Sequence, residues 1–109
     1  MIKKAVVVGG SGFIGSHVAD FLTNAGYKVT IYDKTESKWL LSGQKMVVGD
    51  VKDKEKINYT IAGSEVVYNF AALADLNQAL KQPIETVSIN ILGNLNIMEA
   101  CRMHGVKRF

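Results

Sequence analysis

Val8-Gly9-Gly10-Ser11-Gly12-Phe13-Ile14-Gly15 decides how this chain folds. An apolar run of strand length, residues 5–8, leads into it. Ile14, Val18, Leu22 and Ala25 follow at spacings of four, four and three, the period of an amphipathic helix that Gly26 would stop. The glycines therefore lie where a strand turns into a helix. One glycine there can adopt positive φ, another lacks the Cβ that would block an approaching diphosphate, and a third lets helix and strand pack closely. The start of the helix offers free N–H groups and a positive dipole end, so the backbone N–H groups of Phe13 and Ile14 are the expected phosphate donors. Gly10, Gly12 and Gly15 fit G-x-G-x-x-G, while Gly9, Gly12 and Gly15 fit G-x-x-G-x-x-G; either alone is a weak signal. Ser16 and His17 after Gly15 exclude a P-loop, which needs Lys and Ser/Thr there.

Asp33 strengthens the case. It lies 18 residues beyond Gly15, at the end of a second strand over 28–32, where an acid accepts hydrogen bonds from adenosine ribose hydroxyls. A carboxylate also repels a 2′-phosphate, which favours NAD over NADP, although Lys34 beside it softens that preference. A glycine turn next to an unrelated exposed Asp is the plainer alternative. Strand, loop, helix and acid at these spacings argue against it.

Further along, strand-length apolar runs alternate with helix-length segments, which implies βαβ units: a Rossmann-like α/β fold with a parallel sheet and helices on both faces. A short third strand covers 46–48. A helix follows over 53–62, with Asp53 as N-cap, Ile57 and Ile61 facing inward and Gly63 closing it. The fourth strand covers 65–70. Pro83 opens a long helix running to about residue 104, and 106–109 reads as the start of a fifth strand. The long helix carries Ile84, Val87, Ile91, Leu95 and Met98 on one side, with Ile89, Leu92 and Ile97 widening the apolar zone beyond what one sheet face needs.

At 109 residues the chain allows one domain, and 48% apolar against 21% charged residues supports a buried core. The net charge of +3 is scattered, with no basic stripe interleaved with aromatics, so no nucleic-acid partner is expected. No run approaches the ~18 apolar residues of a membrane span. Lys3 and Lys4 before the first apolar run imitate a secretory leader, but the run breaks into glycines and no cleavage site follows. Cys101 is the only cysteine, which excludes an internal disulfide or a Cys-based metal site, and a cytoplasmic setting is expected.

These residues resemble the extended short-chain dehydrogenase/reductase family, specifically its NAD-dependent nucleotide-sugar epimerases and dehydratases, along the whole chain. The loop from Gly9 to His17 resembles the family's glycine loop, with Val8 where Thr is usual. Gly49-Asp50-Val51-Lys52-Asp53 resembles the family's segment after the third strand. The resemblance implies that Asp50 accepts from the adenine amino group and that the backbone of Val51 contacts the ring. From spacing alone, Asp50 also suits a helix cap, a role Asp53 already fills. Phe70-Ala71-Ala72 resembles the small-residue turn after the fourth strand, where backbone lies against the cofactor. Asn90-Ile91-Leu92-Gly93-Asn94 resembles the family's Asn-x-x-Gly helix, which implies that Asn90 reaches towards the cofactor. Asn and Gly inside a helix are both unfavourable, so close approach or an inward hydrogen bond stands beside plain packing as the reason for them.

The resemblance implies a sheet ordered 3-2-1-4 before the fifth strand. It also implies a homodimer through the long helix, and a nucleotide-sugar substrate in the complete enzyme. The expected cofactor-binding residues are thus Gly9, Gly12, Phe13, Ile14, Asp33, Lys34, Asp50, Val51, Phe70, Ala71, Ala72 and Asn90. No catalytic or metal-binding residue is assigned. The family's Tyr-x-x-x-Lys is not found: Tyr27, Tyr32, Tyr59 and Tyr68 are followed four residues later by Ile31, Glu36, Gly63 and Ala72. Residues 1–109 are therefore expected to be an incomplete NAD-binding domain, inactive alone, with a barer edge on the fourth strand. The alternative is a non-catalytic NAD(P)-binding module or sensor. Asp75 is left between capping a turn and touching substrate.

Overall fold

A computed structural model describes residues 2–109. Four parallel strands, β1 (Lys4–Val8), β2 (Lys28–Asp33), β3 (Lys45–Val48) and β4 (Ser64–Asn69), form one sheet in the order β3-β2-β1-β4. This is the expected Rossmann-like order. Helix α1 (Phe13–Asn24) joins β1 to β2, and α2 (Lys54–Ile61) joins β3 to β4. Asp53 caps α2 as expected, its carboxylate accepting from the Lys56 N–H at 3.1 Å.

Side-chain alternation along β1 divides the core in two. Ala5 and Val7 face α1 and pack with Ala19, Leu22, Val29 and Ile31. Val6 and Val8 face the other way, towards Ile57 and Ile61 of α2 and Ile97, Ala100 and Cys101 further along. Helices thus cover both faces, as a buried parallel sheet requires. The inward stripe of α1 differs from expectation. Gly15, Ser16, Ala19 and Leu22 are buried, while Ile14 and Ala25 are exposed. Small residues at 15, 16 and 19 bring the helix axis close to the sheet, so the bulkier periodic residues lie at its margin.

After β4 the structure adds a short helix absent from the expected elements, α3 (Leu76–Lys81). Asp75 is its N-cap, accepting from Asn77 N–H at 2.9 Å and Gln78 N–H at 3.4 Å, the capping role that the sequence allowed for it. The expected long helix is continuous but not uniform. It comprises α4 (Pro83–Val87), a π-helical stretch (Ser88–Gly93) and α5 (Asn94–Met103). Its buried face is the narrow one, Ile89, Gly93, Ile97, Ala100 and Cys101, whereas Ile84, Val87, Ile91, Leu95 and Met98 are exposed.

The expected fifth strand is present only as a parallel bridge between Val66 and Arg108, with Val67 N–H donating to Arg108 O at 3.0 Å and Lys107 N–H to Glu65 O at 3.2 Å. The outer edge of β4 is thereby partly paired, not bare. Among the described residues, no helix is long and apolar enough to cross a membrane.

Candidate functional site

The sheet order puts its switch point between β1 and β4, where the chain leaves β1 for one face and β4 for the other; ligands of open α/β sheets bind outside the carboxyl ends of the strands at such a point. Gly9 sits there at φ +79°, its N–H donating to Tyr32 O at 2.8 Å. A Cβ on Gly9 would lie 2.6 Å from Ala71 N and 2.7 Å from Phe70 C, so only glycine lets the loop after β1 touch the loop after β4. Gly12 is the N-cap of α1 and brings no side-chain cap, and Ser16 N–H bonds Gly12 O at 2.9 Å. The N–H groups of Phe13, Ile14 and Gly15 therefore precede the helical ladder, pointing outward as anion donors do. A Cβ on Gly15 would overlap Gly9 O, which accounts for the third glycine by close packing.

Asp33 ends β2 and is tied to the glycine loop directly. Its Oδ2 accepts from Ser11 N–H at 3.0 Å and its Oδ1 from Thr35 N–H at 3.1 Å. A carboxylate has about four acceptor positions, so these two bonds orient it and leave capacity for hydroxyl donors.

The loop after β3 is gripped from three sides. Tyr32, fully buried, donates its hydroxyl to Asp50 O at 2.7 Å, and Gly49 leaves room for that ring. Asn96 of α5 donates from Nδ2 to Val51 O at 3.1 Å. Gly93 admits the Val51 side chain, since a Cβ there would come within 2.5 Å of Val51 Cγ2. Close approach is thus the reason for glycine inside this helix. Asp50 Oδ1 accepts from Lys52 N–H at 2.9 Å in a local turn, so Asp50 is not the helix cap. Burial pushes the Tyr32 hydroxyl up to about 12, with Asp53 and Asp50 adding to the rise. A phenol so held is a poor proton-transfer group near neutrality.

The loop after β4 is held by two asparagine contacts. Asn69 Oδ1 accepts from Ala71 N–H at 2.9 Å, and its Nδ2 donates to Asn94 Oδ1 at 3.0 Å. Asn90 is engaged differently from the expectation that it reaches towards a cofactor. Its Oδ1 accepts from Leu73 N–H at 2.8 Å and its Nδ2 donates to Leu73 O at 3.1 Å, so both polar ends clamp one loop residue.

These loops enclose a cleft of about 620 Å³. Of the sequence-predicted residues, Gly9, Gly12, Asp33, Lys34, Val51, Phe70, Ala71 and Ala72 line it. Phe13 and Ile14 stand beside it with exposed side chains, and Asp50 and Asn90 support its walls. Sequence reasoning missed Tyr32, Asn69, Asn94 and Asn96. The far wall carries Gln78, Gln82 and Glu85, and Lys52 Nζ meets Glu85 Oε1 at 2.7 Å across the rim. His17 packs edge-on to Phe13, His104 meets Asn58, and Cys101 is buried with its thiol pushed up by burial; none of the three lines the cleft.

Comparison with known proteins gives this geometry a context. The family model described as "NAD dependent epimerase/dehydratase family" matches residues 5–109. A dTDP-glucose 4,6-dehydratase of Mycobacterium tuberculosis is 31% identical over 95% of this chain and 34% of its own length. The UDP-glucose 4-epimerase of Thermotoga maritima, solved with UDP-glucose, superposes at a TM-score of 0.89 with 30% identity, covering 95% of this chain and 35% of that one. The Thermus thermophilus UDP-glucose 4-epimerase, solved with NAD, gives a TM-score of 0.85 at 31% identity over 94% of this chain and 35% of that one. The chain spans about a third of the length of these relatives.

Proposed function

The chain belongs to the NAD-dependent epimerase/dehydratase family, and from that premise we propose that residues 1–109 are the NAD-binding portion of a nucleotide-sugar epimerase or dehydratase. One observation carries the reading: the ends of all four strands deliver to a single cleft a glycine loop, a carboxylate fixed to that loop, and small-residue walls. The N–H groups of Phe13 and Ile14 would hold the diphosphate, with Gly9 and Gly12 leaving it room. Asp33 would accept from the adenosine ribose hydroxyls and disfavour a 2′-phosphate, so NAD is preferred to NADP despite Lys34. Asp50, with Oδ2 unused by the local turn, and the Val51 backbone would receive the adenine. Phe70, Ala71 and Ala72 would face the nicotinamide half, on a loop that Asn90 keeps in place. When bound, NAD supplies a transient hydride acceptor for the sugar.

The same reading makes the complete protein a homodimer, supported by the exposed Ile84, Val87, Ile91 and Leu95 along one helix face, and cytoplasmic, supported by the single cysteine. The choice between epimerase and dehydratase stays open because relatives of both kinds match over this chain. A non-catalytic NAD-binding module is the second reading, since the cleft described in residues 2–109 accounts for dinucleotide binding without assigning a catalytic residue.

Calorimetry with NAD tests the binding. Asp33→Ala is expected to weaken it about tenfold or more, the scale of losing hydrogen bonds to a charged group. Asp20→Ala, which removes a contact to Gln44 away from the cleft, is expected to leave it unchanged. Equal effects would remove Asp33 from the site. Turnover of a UDP-sugar by residues 1–109 alone would overturn the expectation that this portion is inactive by itself.

A further inference from the structure

The strand ends follow one another across the sheet as β3, β2, β1, β4. The walls of the cleft follow the same order: the Val51 loop, Asp33, the glycine loop, then Phe70 to Ala72. If Asp33 takes the ribose hydroxyls and the glycine loop the diphosphate, the group beyond the ribose on the β3 side is the base. Val51 is then the apolar surface it meets. The carbonyl and side chain of Val51 are both fixed by one helix: Asn96 Nδ2 donates to Val51 O at 3.1 Å, and Gly93 receives the isopropyl group. Among the described residues, Asn96 is the side chain that bonds Val51 O.

The π-helical stretch ending at Gly93 belongs to this arrangement. A π turn carries one more residue than an α turn. Within and just beyond it, Asn90 clamps Leu73 on one side of the cleft while Gly93 and Asn96 reach Val51 on the other.

We propose that Asn96 is a positioning residue for the adenine end of the dinucleotide, acting by holding Val51 in the cleft wall through their amide–carbonyl bond. This inference rests on the NAD-binding reading above. It predicts that the adenosine half of the ligand alone reports the residue.

Binding of NAD and of AMP is measured by calorimetry for the full chain, for Asn96→Asp and for Asn96→Ala. Asp matches Asn in size but presents an acceptor to an acceptor, and Ala leaves the Val51 carbonyl unpaired. Each variant is expected to weaken NAD and AMP by the same factor, about five- to tenfold, the scale of one hydrogen bond. Leu22→Val, in the core behind the opposite face of the sheet, is the control for a general loss of stability and is expected to leave both affinities unchanged.

Unchanged AMP affinity in both Asn96 variants would overturn the proposal while leaving the NAD reading intact. So would an equal loss in the Leu22 control, which would make the effect one of stability. A parent chain that binds NAD but not AMP would overturn the placement of the base at Val51. Failure of the parent chain to bind NAD at all would instead remove the NAD reading itself.

Discussion

Gly9 and Gly63 have nearly the same positive φ, +79° and +78°, and differ in what surrounds them. Replacing either with Ala forces an L side chain into the left-handed region, at a cost of about 1–2 kcal/mol. At Gly63 nothing lies within 4 Å of the new Cβ, so the cost ends there. At Gly9 the Cβ would stand 2.6 Å from Ala71 N and 2.7 Å from Phe70 C. These are backbone atoms, tied to Asn69 and through it to Asn94, so they cannot swing aside as a flexible side chain would. Opening such a contact costs about 1–3 kcal/mol more. Urea unfolding of the two variants measures the difference directly. With a slope of about 1–3 kcal/mol per molar for a small domain, the Gly9→Ala midpoint is expected roughly 1 M below that of Gly63→Ala. Because both substitutions restrict the unfolded chain alike, that effect cancels. Equal midpoints would refute the claim that the loops after β1 and β4 are in contact.

Tyr32 is expected to make stability fall at high pH. The fold favours its neutral form, so its contribution is complete below the ordinary value of 10.0 and is lost as pH rises through about 12. The loss is at most on the order of 2–3 kcal/mol. Tyr32→Phe should flatten this part of the stability profile, and an unchanged profile would count against the buried phenol. Ile97→Ala is expected to destabilise the domain by about 2–5 kcal/mol, as for a fully buried side chain, and Ile91→Ala on the exposed face by less than about 0.5 kcal/mol. Thermal or urea unfolding in dilute solution checks this pair, and the reverse ranking would show the helix turned the wrong way. If the exposed face joins two copies, Ile91→Glu should lower the mass seen by sedimentation, and an unchanged mass would dismiss that surface.

Much of the fold was legible because its signals are local. Valine-rich runs of strand length, a glycine loop before a 3.6-period segment, and Asp53 three residues before the Lys56 N–H it caps all act within a few residues. The sheet order came from resemblance, since no local pattern dictates which parallel strands pair. The misreading of the α1 stripe has a local cause. The buried stripe of α1 runs through Gly15, Ser16 and Ala19, which carry little hydrophobic signal, so Ile14 and Ala25 looked inward. On the long helix two apolar faces compete, and periodicity cannot say which one meets the sheet. The π-helical stretch shifts the register further.

Within the cleft, Asp33 and the glycines were legible because their role demands a residue type at a fixed distance. Asn96, Asn94 and Tyr32 were not. Each acts on a backbone or side-chain partner 18 or more positions away, and asparagine inside a helix looks like a propensity cost until its partner is known. Asn90 was noticed for that cost, yet its partner is the Leu73 backbone.

The most direct test is a crystal structure of the chain grown with saturating NAD. The account predicts the diphosphate against the N–H groups of Phe13 and Ile14, the adenosine ribose hydroxyls on the Asp33 carboxylate, and the base beside Val51. A dinucleotide bound elsewhere, with the glycine loop free of phosphate and Asp33 still bonded only to Ser11 and Thr35, would contradict it.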